Sequence, residues 1–194
     1  MSRAITFLIT LLPKEILAIL PRKRVVRPPG AIVEEVFLEL CSRCGACITA
    51  CSKEGTGALE PCSLTDGLVL YRTPKINPLK APCEAVEGRC KGVLPCVRSC
   101  PTGALQFIDI SEIKLGTVIW NSKNCIAVKK GGGCLVCIEV CPVKGAIIAK
   151  NHIPHFNPRL CVGCGSCVVA CPASPKALTL TPIGERRVEY IIHG

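Results

Sequence analysis

The sequence predicts an α+β chain in which two small modules stand in tandem behind an N-terminal helix. Three observations predict it: a cysteine pattern that recurs four times, a backbone rich in turn residues, and too few large side chains for an ordinary core. The 194 residues include 17 Cys, 17 Gly and 16 Pro, while aromatics make up only 4%. A cysteine content near a tenth signals a cysteine-built scaffold. The glycines and prolines assign much of the backbone to turns and loops. Something held by the cysteines must therefore supply the core.

The chain opens with an apolar stretch from Met1 to Leu20 that Pro13-Lys14-Glu15 interrupts. No A-x-A-like site follows, so no cleavable signal peptide is expected. Residues 4–20 predict a helix of about 26 Å at ~1.5 Å per residue, nearly a bilayer's width. The charged centre makes spanning costly. An interfacial or partner-docked helix is expected, with a span or a degenerate signal as the alternatives. Arg22, Lys23, Arg24 and Arg27 suit anionic headgroups on the cytoplasmic face, or else a solvated linker. Pro28-Pro29 is a stiff spacer. The expected division is a docking segment over 1–26, a cysteine domain over 27–182 and a tail over 183–194.

Four cysteine groups follow. The first is Cys41, Cys44, Cys47 and Cys51; the second is Cys83, Cys90, Cys96 and Cys100. The third is Cys125, Cys134, Cys137 and Cys141; the fourth is Cys161, Cys164, Cys167 and Cys171. In every group three residues separate the last two cysteines, and a β-branched residue (Ile48, Val97, Ile138, Val168) follows the third. These branched side chains are expected to pack against the bound group or the opposite half. Downstream come Gly57-Ala58-Leu59, Gly103-Ala104-Leu105, Gly145-Ala146-Ile147 and Lys176-Ala177-Leu178. They predict turns entering short strands over Leu105–Ile110, Ile147–Lys150 and Leu178–Thr181. Such self-similarity means one small unit used four times. Cys62 is left over, and a buried free thiol is expected there, with a substitute ligand as the alternative. An odd, clustered count disfavours a disulfide framework.

Groups one and four have the spacing C-x2-C-x2-C-x3-C, the run that holds a 4Fe-4S cluster. Three thiolates on one compact loop reach three irons of a cube, and the fourth cysteine of the run ligates the neighbouring cluster. Gly45, Gly163 and Gly165 let the backbone approach the cluster closely. Zinc is the competitor, but its knuckles pair cysteines across a longer loop and leave the third close cysteine unexplained. Groups two and three are stretched at Cys83–Cys90 and Cys125–Cys134, loops that close at modest entropic cost. The other reading leaves Cys83 or Cys125 merely buried beside an incomplete cluster. All sixteen cysteines are thus candidate iron ligands for four 4Fe-4S clusters. The formal charge of +10 falls to about +2 once four clusters of about −2 each are counted. It is weak support for nucleic-acid binding.

With these motifs in place, the sequence resembles the NapG/MauM-type polyferredoxins of nitrate reduction and methylamine utilisation. The resemblance runs from Arg27-Pro28-Pro29-Gly30-Ala31 through Phe37-Leu38 and Cys41-Ser42-Arg43-Cys44-Gly45-Ala46-Cys47. It continues through Pro82-Cys83, Pro95-Cys96-Val97-Arg98-Ser99-Cys100-Pro101-Thr102-Gly103-Ala104-Leu105 and the stretched third group. It implies tandem bacterial ferredoxin-like modules, four 4Fe-4S clusters, and electron transfer between a membrane quinone-linked subunit and a downstream partner. It also implies nested pairing, group one with four and two with three, although the gap from Cys141 to Cys161 leaves sequential pairing open. Ser52 replaces the family's usual Pro and loosens that turn. The family's twin-arginine signal is not visible: Arg22-Lys23-Arg24 follows the apolar stretch instead of preceding it. The cytoplasmic side of a membrane is the expected location, with an extracytoplasmic placement as the alternative.

No phosphate loop, dinucleotide-binding glycine pattern or H-E-x-x-H motif occurs, and acidic residues form no close pair for acid–base chemistry. His152, His155 and Trp120 read as ordinary turn and packing residues. The expectation is an electron-transfer subunit of a redox complex and not an enzyme by itself. Two rivals are a metal-stabilised nucleic-acid-binding module and the cluster subunit of a substrate-reducing enzyme.

Overall fold

The computed structural model describes residues 23–86, 90 and 93–189. The expected helix over 4–20 and Arg22 lie outside the described residues. Helix and strand are mixed, as expected. Among the described residues no helix is long and apolar enough to cross a membrane.

The first half begins with a buried entry segment. Gly30, at φ +77°, turns the chain so closely that a Cβ there would meet the Gln106 carbonyl oxygen at 2.1 Å. Ala31 then bridges Leu105 antiparallel. Helix α1, Glu34–Leu40, drives Phe37 fully into the core. Helix α2, Ala46–Glu54, starts at a left-handed Gly45 and buries Cys47 and Cys51, four residues apart on one face. Strands β1, Leu59–Pro61, and β2, Pro74–Ile76, form an antiparallel hairpin. Helix α3, Pro95–Arg98, carries Pro at its first turn, where the missing N–H costs nothing.

The second half repeats this plan. Strand β3, Thr117–Trp120, pairs antiparallel with the last strand β6, Leu178–Thr181. Between them lie helices α4, Ile126–Lys129, and α5, Val136–Glu139, and then the hairpin of β4, Ile147–Lys150, and β5, Ile153–Phe156. Helix α6, Ser166–Ala170, precedes β6. In each half an opening segment pairs with a closing one around an enclosed hairpin. Leu105–Ile110 does not form the expected strand: beyond the single bridge at Leu105 the facing chain leaves at Gly30 and offers no ladder, and Ile110–Glu112 coils into a 3-10 turn.

The halves are tied together. The Cys83 N–H donates to the Cys164 carbonyl at 2.8 Å. Of the expected tail, residues 183–189 strap back onto the first half. Val188 donates its N–H to the Ala31 carbonyl, and Arg187 sits 3.3 Å from Glu34 and 2.9 Å from Glu185. Residues 190–194 lie outside the described residues. Arg27 corrects an expectation: it is no surface cation. It is 1% exposed, pairs with Glu34 at 2.6 Å, donates to Thr73 and the Pro74 carbonyl, and lies 4.6 Å over the Phe37 ring. Burying a guanidinium demands such partners.

Candidate iron–sulfur centres

None of the seventeen cysteines forms a disulfide. Sixteen gather into four quartets, each made of three cysteines from one group and the last cysteine of another. The first quartet is Cys41, Cys44, Cys47 and Cys100, which share one cavity with Phe37, Arg43 and Pro101. The second is Cys51, Cys83, Cys90 and Cys96: burial pushes the Cys96 thiol up, and Cys83, Cys51 and Cys90 add to the effect. The third is Cys125, Cys134, Cys137 and Cys171, around a cavity walled by Trp120, Pro154 and Phe156. The fourth is Cys141, Cys161, Cys164 and Cys167, around a cavity with Val118 and Ile147.

The exchange follows from local geometry. The third and fourth cysteines of a run lie one helical turn apart, so a short helix hands the fourth to the adjacent set. The partners are sequential, group one with two and three with four, and not nested as the resemblance implies. The reason is topological: each half closes on itself, at Ala31–Leu105 and at β3–β6.

Each quartet adjoins the next. Cys47 adds to the upward shift of Cys96, which joins the first to the second. The Cys83–Cys164 hydrogen bond joins the second to the fourth, and Cys137 adds to the upward shift of Cys167, joining the fourth to the third. The order in space is therefore first, second, fourth, third. The ends differ in access: Cys44 is the one exposed cysteine.

Electrostatics favours an electron-poor occupant. Burial and neighbouring thiols push Cys47 up to about 12, and burial does the same to Cys83. Burial and the neighbouring Cys125 and Cys134 thiols raise Cys137 to about 11. Four clustered thiolates repel one another unless iron compensates them. Cys44 is lowered, chiefly by the Ala46 backbone N–H. Burial raises Cys41, while the Arg43 backbone N–H and the charges of Arg43 and Arg27 oppose it.

The walls fit a sulfur-rich group. Arg43 Nε and Trp120 Nε1 are buried N–H donors with no partner, and each lines a quartet's cavity. Buried donors are seldom left orphaned, and cluster sulfurs accept such hydrogen bonds. Among the described residues no three cysteine, histidine or acidic side chains close on a single metal ion.

The branched residues after each third cysteine pack into the hydrophobic cores: Ile48 and Val97 against the first, Val168 and Ile138 in the second. Cys62 is 2% exposed, shares no cavity with the quartets, and bonds through its backbone to Thr73 and Arg72. It is a free thiol. His152 sits exposed in the β4–β5 turn at φ +60°. Trp120 stacks on Phe156 at 5.7 Å and near His155 at 6.3 Å. Arg43 was not legible as a wall residue. The one available signal was the repeat, in which Arg43 stands where the fourth group has Gly163.

Comparison with known proteins agrees with this geometry. Two family models described as 4Fe-4S binding domain match residues 38–56 and 153–177, which hold the two unstretched groups. The fold and its cysteine sets define a ferredoxin-type iron–sulfur protein that carries electrons. The methylamine utilization ferredoxin-type protein MauM of Paracoccus denitrificans (strain Pd 1222) is 34% identical over 170 residues, 82% of this chain and 72% of the relative. MauM of Methylophilus methylotrophus is 34% identical over 187 residues, 90% and 79% of the two chains. The ferredoxin-type protein NapG of Escherichia coli (strain K12) is 31% identical over 183 residues, 87% and 75%. The chain belongs to the MauM and NapG family of ferredoxin-type proteins.

Proposed function

We propose that the protein is a non-catalytic electron-transfer subunit with four 4Fe-4S clusters, two ferredoxin-like modules in tandem. It relays single electrons between a membrane, quinone-linked subunit and a redox partner. The observation that carries this reading is the succession of adjoining quartets from the Cys44 cavity to the Trp120 cavity. Each cluster, when bound, cycles by one electron.

The chain's own residues do the rest. Cys41, Cys44, Cys47 and Cys100 would hold the first cluster; Cys51, Cys83, Cys90 and Cys96 the second. Cys125, Cys134, Cys137 and Cys171 would hold the third, and Cys141, Cys161, Cys164 and Cys167 the fourth. The Cys83 N–H fixes the second set against the fourth across the module boundary. Phe37, Val168 and Leu178 keep water from the sets they adjoin. The basic residues after the apolar stretch, of which Lys23 and Arg24 are exposed, support placement at the cytoplasmic side of a membrane.

Anaerobic coulometric reduction of the purified chain tests the relay. About four electrons per chain are expected, one per cluster; uptake of about two contradicts it. Failure of the full chain to bind anionic vesicles or to co-purify with a membrane subunit contradicts the placement.

A further inference from the structure

Arg43 is a charged residue set inside the cysteine loop of the first quartet. It lies between Cys41 and Cys44 and adopts a left-handed backbone at φ +55°. Its repeat counterpart between Cys161 and Cys164 is Gly163, at φ +76°. The left-handed turn is thus a requirement of the cysteine loop, and glycine meets it without strain. A residue with a Cβ there costs about 1–2 kcal/mol. Strain retained in this way points to a role for the side chain.

The side chain has no carboxylate partner among the described residues. Its terminal nitrogen donates to the Val69 carbonyl at 3.2 Å, while Nε is buried and unpartnered. Arg27, deeper on the same side, is neutralised by Glu34 at 2.6 Å. Arg43 is therefore a half-buried cation with no counter-charge among the described residues. The cavity it shares with Cys41, Cys44, Cys47 and Cys100 is where that counter-charge belongs.

We propose that Arg43 is a positioning residue that sets the reduction potential of the group held by Cys41, Cys44, Cys47 and Cys100. Its Nε–H is the donor left for a sulfur of that group, and its charge offsets the negative charge gained on reduction. Both effects stabilise the reduced state and raise the potential. The fourth quartet, with Gly163 in this place, lacks the contribution. The inference rests on the four-cluster reading and adds to it a residue that tunes one of the four potentials.

The test uses the full chain, assembled and purified without oxygen, as wild type, Arg43→Gly and Arg43→Lys. Iron and sulfide are counted in each sample, and every cluster is titrated by EPR; the relevant signal is the one that Cys44→Ser alters. Arg43→Gly reproduces the repeat's own residue and relieves the backbone strain, so folding is retained. At full iron content its titration is expected to shift to lower potential for this one cluster, with the other three unmoved. Arg43→Lys keeps the charge, loses the Nε donor, and is expected to recover part of the shift. An unchanged potential at full iron content, an equal shift of all four clusters, or loss of this cluster's iron from both variants overturns the proposal. Half the iron in wild type, with no signal altered by Cys44→Ser, overturns the four-cluster reading as well.

Discussion

Arg27 shows how much a single buried charge determines. Replacing it with Ala leaves Glu34 with Arg187 alone and takes the donor from Thr73 and the Pro74 carbonyl, three contacts at 2.6 to 2.8 Å. The expected loss is about 3–5 kcal/mol, the cost of breaking a buried ion pair. Arg98→Ala removes a pair with Glu54 whose side chains are 59% and 51% exposed, and should cost less than about 1 kcal/mol. Anaerobic thermal unfolding of both variants checks this, and equal losses would contradict it. Cys62→Ala should leave the iron content unchanged, since the thiol adjoins none of the quartets; iron analysis decides. Cys62 was legible as the residue left over from a fourfold pattern. Arg27 was not, because its partners lie 7 and 46 residues away, where no local pattern reaches.

Among the elements, the turns carry the sharpest constraints. At Gly30 an added Cβ would overlap the Gln106 carbonyl oxygen at 2.1 Å. Gly30→Ala should therefore cost more than about 2 kcal/mol, through left-handed strain and displacement of the Ala31–Leu105 bridge. Gly45 has the same backbone sign, φ +79°, but nothing within 4 Å of the added carbon. Gly45→Ala should cost only about 1 kcal/mol. Cluster absorbance followed through thermal melts separates the two, and a reversed order would count against the described packing. Strands β4 and β6 were legible from branched residues following Gly145-Ala146 and Lys176-Ala177. The segment after Leu105 carries the same signal without becoming a strand, because strand character needs a partner ladder and Gly30 removes it.

At the scale of the molecule, the fourfold cysteine pattern was legible while its pairing was not. Spacing says that a fourth cysteine leaves its own loop but not which loop receives it. The closures of each half, Ala31 with Leu105 and β3 with β6, make that choice. Cys100→Ser should disturb the same EPR signal as Cys44→Ser, and Cys51→Ser the same signal as Cys83→Ser. A nested arrangement would instead couple Cys51 to the signal of Cys161. The stretched groups two and three matter most here, because they complete the middle and the far end of the succession. Iron and acid-labile sulfide per chain, measured on protein purified without oxygen, test the four-cluster relay most directly. About 16 of each is the predicted result; about 8, or zinc in place of iron, would contradict it.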